Sequence, residues 1–327
     1  MTKTGGDKKF ARTVLGDIDS SEMGLTYSHE HIIIEESYPT VASPDFILND
    51  VDRASSELSR FYSAGGRTVV DTMPADCGRN VEKLAEVSGR SGVNIIAPTG
   101  IHLEKYYPPG HWRYSYTVDQ LARLFIDDIV SGIDRHDYSG PLVERTPCRA
   151  GIIKIATGDH SINPNQEKIF RAAVDAHRET GAPIITHTNG GLLALEQAAL
   201  FDKLGADLHH VVISHADRNG DTGYHRELLG TGVRVVYDGA FRWKAGEENI
   251  TMRLLEELLP EFPGQITMGM DMARNRYWKS YGGGPGMNYL MEEFRDELGR
   301  RGLGEYFDLI FQANPSGLFA FRNSAEG

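Results

Sequence analysis

Eight short runs of β-branched and other apolar residues recur along the chain. They are TYSHEHIII (26–34), GRTVVDT (66–72), VNIIAPTG (93–100), AGIIKIAT (150–157), APIITHT (182–188), HHVVISHA (209–216), VRVVYDG (233–239) and QITMGMD (265–271). Strands that are apolar almost throughout are buried on both faces, as in parallel sheets. Between the runs the apolar residues take helical spacing, as in DVDRASSELSRFYSAGG (50–66), NPNQEKIFRAAVDAHRETG (163–181), GLLALEQAALFDKLG (191–205) and NITMRLLEELLPEF (249–262). Gly65, Gly181 and Gly205 follow the last helical residues, where a left-handed cap is needed. Asn163 and Pro164 supply a capping side chain and then a proline in the first turn. Eight strands alternating with helices predict an α/β fold, a single (β/α)8 TIM barrel. The rival, a doubly wound sheet, lacks its Gly-x-Gly-x-x-Gly after the first strand. A length of 327 residues suits one such barrel, and with no linker or repeat a single domain over 1–327 is expected.

The first run places His29 and His31 among apolar residues. In a strand, residues i and i+2 share a face, so both imidazoles point one way and Glu30 the other. Lys154 sits inside the fourth run, His187 ends the fifth, His215 the sixth and Asp271 the eighth. Barrel active sites form at the carboxyl ends of the strands. These six polar side chains can therefore converge there from five different strands. Imidazole and carboxylate suit divalent cations such as zinc, manganese or cobalt. An unpaired lysine in a barrel interior is costly. Forced neutral, it becomes nucleophilic and can take up carbon dioxide as a carbamate, an anionic group able to bridge two metals. A Schiff-base lysine or a buried ion pair is the alternative.

The net charge of −12 argues against a general nucleic-acid or anionic-membrane surface, though not against a local basic pocket. No run reaches the ~18–20 apolar residues that span a bilayer, and MTKTGGDKKFARTVLG lacks the apolar core of a signal peptide. Cys77 and Cys148 form neither a disulfide framework nor metal-binding spacing. A cytoplasmic, reduced protein is expected.

HEH on the first strand, the lysine in IIKIAT, THT, SHAD and the aspartate after the last strand resemble the phosphotriesterase family of the amidohydrolase superfamily. The resemblance runs from about residue 11 to residue 320 and includes TVLGDIDSSEMGLTYSHEH and NPSGLF. It implies two divalent metal ions, zinc foremost. His29, His31 and Asp271 would hold the more buried ion, and His187 and His215 the more exposed one. Lys154, carboxylated to N6-carboxylysine, and a hydroxide would bridge them. The bridging hydroxide would attack the substrate carbonyl or phosphoryl group, with Asp271 as proton shuttle to the leaving alkoxide. Members include phosphotriesterases, N-acyl homoserine lactonases, sugar-phosphate lactonases and carboxylesterases, and the family often forms homodimers.

Specificity is expected in the loops after strands three, seven and eight. TGIHLEKYYPPGHW puts His102 near the place where the homoserine-lactonase branch typically has a tyrosine, with Tyr106 and Tyr107 further on. YDGAFRWKAGE and DMARNRYWKSYGGGPG supply Arg242, Lys244, Arg274, Arg276 and Lys279 among aromatic residues. Several cations on neighbouring loops suit a phosphate or carboxylate. His102, Tyr107, Arg242, Lys244, Arg274 and Tyr277 are the candidate substrate contacts, and the loops resemble the sugar-phosphate lactonase branch most. The expected function is thus hydrolysis of a phosphorylated or otherwise anionic sugar lactone. Neutral lactones, carboxylic esters and organophosphate triesters are the alternatives, ring amides are chemically allowed, and a metal-containing binding protein is the non-enzymatic one.

Overall fold

The computed structural model describes residues 9–243 and 247–322. It opens with an antiparallel hairpin, β1 (Phe10–Thr13) and β2 (Gly16–Asp19). Parallel strands follow: β3 (Leu25–Glu30), β4 (Gly66–Asp71), β5 (Asn94–Ile96), β6 (Pro98–Gly100), β7 (Ile152–Ala156), β8 (Ile184–His187), β9 (Val211–Ser214), β10 (Arg234–Tyr237) and β11 (Ile266–Met268). β3-β4-β5 form one ladder and β6 to β11 another in chain order, with registers such as Val69↔Ile95 and Ile184↔Val211. With helices between successive strands, this is the (β/α)8 barrel.

Each expected strand is present, with two differences. The third is split at Ala97 into β5 and β6, because Pro98 has no N–H to give to a ladder. The first leaves the ladder after Glu30: Ile32 N–H donates instead to Asp71 Oδ2 at 2.7 Å. The helix Pro164–Thr180 begins where its cap predicts. Asn163 makes a capping box with Gln166, and Gly181 closes the same helix at φ +74°.

One face of the strands carries Val70, Ile96, Ile152, Ile185, Val212 and Val236, one per strand, clustered with Ala11, Met23, Leu318 and Phe319. This is the barrel interior, plugged from one end by the hairpin and the C-terminal segment. The alternate residues, among them Val69, Ile153, Ile184 and Val235, pack in a second cluster with helix residues such as Leu58, Phe125, Phe170 and Leu255. Two positions further along the interior face, the residues turn polar: Thr72, Lys154, His187, Ser214 and Asp238 are all buried.

The ring closes between β11 and β3. Asp271 N–H donates to the His29 carbonyl at 3.0 Å. Gly269 sits so close that a Cβ there would lie 2.6 Å from the same oxygen. Glu30, fully buried on the face away from His29 and His31, accepts from Met270 N–H at 2.7 Å and from Met272 N–H at 3.3 Å. Glu30→Ala leaves both amides without that partner. It should cost roughly 2–6 kcal/mol, read as a lower urea midpoint, whereas Glu30→Gln retains one acceptor and should lose less. Equal loss in the two variants would refute this tie. Among the described residues no helix is long and apolar enough to cross a membrane.

Candidate metal centre and substrate cavity

The polar rim of the barrel opens into a cavity of about 240 Å³. His29, His31, Lys154, His187, His215 and Asp271 all line it. The strand alternation accounts for Lys154 and His187. His29 comes inward because β3 shifts register between Tyr27 and Glu30. His215 and Asp271 stand just past their strands in left-handed backbone, at φ +63° and +49°. Such a conformation in non-glycine residues is mildly strained and tends to mark functional sites.

The donors are close together. Asp271 Oδ1 lies 3.3 Å from His31 Nε2 and 3.9 Å from His29 Nε2. Asp238 Oδ2 lies 2.7 Å from His215 Nδ1 and 3.2 Å from His29 Nδ1. The His187 and His215 rings are 4.5 Å apart, and those of His29 and His215 4.7 Å. Two trios, His29–His31–Asp271 and His29–His215–Asp238, have ligand atoms within 4.8 Å of one another.

Burial lowers the pKa of His29, His187 and His215, and the Lys154 charge adds to this at His29 and His187, so these imidazoles are held neutral. Burial also pushes Asp271 up, but the bond to His31 and the charge of Arg242 hold it well below the usual carboxylate range. Neutral imidazoles beside ionised carboxylates are the protonation states that ligate divalent cations. Lys154 shows the same need from the other side. Its ammonium is 1% exposed, has no hydrogen-bond partner, and burial pushes it down to about 8. A cationic amine with nothing to bond is out of place unless the site holds something further, so the residues present fit a metal centre.

Asp238, Arg218 and Asn189 belong to this region and were not singled out from the sequence, and Tyr106 was noted there but not chosen as a contact. Asp238 had a signal: it stands two residues beyond the interior Val236, at the end of the seventh run. Arg218 Nη2 donates to Asp271 Oδ2 at 2.9 Å and lies 3.5 Å from Asp238 Oδ1, although only its nearness to SHAD hinted at a role. Asn189 Oδ1 lies 2.8 Å from His187 Nε2.

The expected substrate contacts divide. His102, Arg242, Arg274 and Tyr277 line the cavity. Lys244 lies outside the described residues. Tyr107 must be corrected, since it is buried behind the wall. Its hydroxyl accepts from His102 N–H at 2.9 Å and donates to the Ala75 carbonyl at 3.0 Å. Its neighbour Tyr106 faces the cavity instead. Arg242 is already engaged: Nη2 donates to Asp271 Oδ2 at 2.9 Å and to the Asp271 carbonyl at 2.8 Å, while Nη1 donates to the Tyr277 hydroxyl at 3.2 Å. Arg274 is held from outside the barrel rim by Asp45.

Comparison with known proteins gives a consistent picture. The phosphotriesterase family model matches residues 9–319. A phospho-furanose lactonase of Mycoplasmopsis agalactiae is 31% identical over 96% of this chain and 92% of its own. The crystal structure of an amidohydrolase from Mycoplasma synoviae superposes with a TM-score of 0.93 at 32% identity, covering 97% of this chain and 94% of that one. That of a lactonase from Listeria monocytogenes gives 0.88 at 31% identity, over 96% of this chain and 100% of the other.

Proposed function

The chain belongs to the phosphotriesterase family and is a hydrolase of ester bonds; from that premise we propose that it opens a lactone ring bearing a phosphate or another anionic group, most plainly a sugar lactone. Two divalent cations, zinc by preference, would be held by His29, His31, His187, His215, Asp271 and a carboxylated Lys154. The observation that carries this reading is Lys154, a buried amine without a partner amid neutral imidazoles. Its neutral Nζ can attack carbon dioxide, form an N–C bond and lose one proton to give an anionic carbamate, which removes the unpaired ammonium.

When bound, such cations supply Lewis acidity that ionises water near neutral pH and draws charge from a carbonyl oxygen. The chain's own residues orient and move protons. Asp271 accepts a proton at its carboxylate and returns it to the alkoxide released by ring opening, which stays tethered as the hydroxyl of the product acid. Arg218 and Arg242 both grip Asp271 Oδ2 and fix its aim. Arg274 and Tyr277, on the loop after β11, face the cavity where an anionic substituent would lie. The relative described as a phospho-furanose lactonase supports a phosphorylated substrate.

The test is a panel of lactones with and without a phosphate, plus carboxylic esters and organophosphate triesters, followed with a pH indicator in the presence of added zinc or manganese. A kcat/KM at least about tenfold higher for the phosphorylated member, or ~1.4 kcal/mol of transition-state binding, is expected. Equal or better turnover of the uncharged compounds would overturn the anionic-substrate reading.

A further inference from the structure

The cation most suited to receive an anion already has one. Arg274 Nη1 donates to Asp45 Oδ2 at 2.5 Å, and Arg276 Nη1 lies 3.9 Å from the same oxygen. Asp45 belongs to a separate segment, the short turn Pro44–Phe46 between the first strand and the first long helix. The Arg274 guanidinium sits over the ring of the next residue, Phe46, its Cζ 4.1 Å from the ring centroid, and Phe46 lines the cavity beside it. Arg274, Phe46, Tyr106 and Pro39 also line an outer groove that continues past Tyr38, Val41 and Lys105. Arg274 and Phe46 therefore stand between the cavity and this groove, and Asp45 is bonded to Arg274 there.

We infer that Asp45 is a built-in counter-ion which occupies the Arg274 guanidinium in the resting protein and is displaced by the anionic group of the substrate, so that it sets how much negative charge a substrate must bring. The inference rests on the anionic-substrate reading above. Both side chains are about a third exposed, at 30% and 33%. A pair so open to water is weak, so the fold does not depend on it and a stronger anion can exchange with it. A phosphate brings more charge and more acceptor oxygens than one carboxylate. Phe46 holds the guanidinium in place throughout, so that exchanging its partner leaves its position unchanged. A neutral lactone cannot effect the exchange, and a singly charged carboxylate only equals it. Asp45 thereby contributes selectivity by repulsion as well as by occupancy.

Asp45→Asn tests this, since asparagine keeps an acceptor for Arg274 and deletes only the charge. The KM of a phosphorylated lactone should fall roughly threefold to tenfold with kcat little changed, and the KM of the matching uncharged lactone should move far less. The inhibition constant of inorganic phosphate, measured against an uncharged ester, should fall by a similar factor. In an Arg274→Gln background Asp45→Asn should have no further effect on either quantity. A KM for the phosphorylated lactone that rises or stays fixed, or an equal shift for both lactones, overturns the inference. If the wild type turns over no phosphorylated lactone, the substrate reading fails, yet the phosphate arm still decides on Asp45: tighter inhibition upholds it and unchanged inhibition refutes it. Thermal unfolding checks integrity, with Asp45→Ser as the second variant should Asp45→Asn unfold early.

Discussion

Asp271→Asn should lower kcat by roughly 10²–10⁴-fold, the range associated with losing a positioned proton carrier, while the protein stays folded. The backbone argument favours a clean substitution. Asp271 sits at φ +49°, a conformation asparagine tolerates as well as aspartate does. Its N–H bond to the His29 carbonyl, which helps close the ring, does not involve the side chain. What disappears is the charge. The carboxylate stands 3.3 Å from His31 Nε2 and takes hydrogen bonds from both Arg218 and Arg242 at 2.9 Å. Asparagine offers those arginines one neutral oxygen and cannot hold the proton removed from water. Circular dichroism and a melting curve would show the fold intact. Turnover within tenfold of wild type would refute the proton-carrier role.

Lys154→Met should abolish turnover to below about a thousandth of wild type and at the same time raise the melting temperature of the chelator-treated protein by roughly 2–5 °C. The two effects have one origin. Methionine nearly matches the buried stem of lysine in volume, but it removes an amine that burial holds without a partner. A residue that weakens the empty protein and is indispensable to the reaction is retained for its chemistry. Added zinc should stabilise the wild type by mass action and the variant distinctly less. Activity surviving at a few per cent, or a variant less stable in chelator, would contradict this account of Lys154.

The strands and the inward polar residues were legible because physical constraints wrote them in simple periods. Strands buried on both faces must be apolar throughout, so any charged or imidazole residue inside one stands out, as Lys154 and His187 do. The hairpin β1–β2 escaped notice since FART and GDID are short and largely polar, and they acquire their partners only when the barrel end is there to be covered. Asp238 was readable in principle, two residues past an interior valine. Arg218 was not, because its place follows from a turn after β9 whose course depends on His215 in a left-handed conformation. Tyr107 misled for a related reason. In a loop, neighbours such as Tyr106 and Tyr107 are not bound to alternate predictably, and which ring faces the cavity depends on a hydroxyl contact to Ala75, 32 positions earlier.

The seam where Gly269 lies against His29 has a temporal corollary. His29 and Asp271 are neighbours only once the final stave has slotted in beside the opening one. A ribosome-bound chain that has emerged only through its sixth or seventh stave thus presents imidazoles but no finished cage. Of the two trios, His29–His31–Asp271 waits for that last stave, whereas His29, His215 and Asp238 all belong to earlier ones.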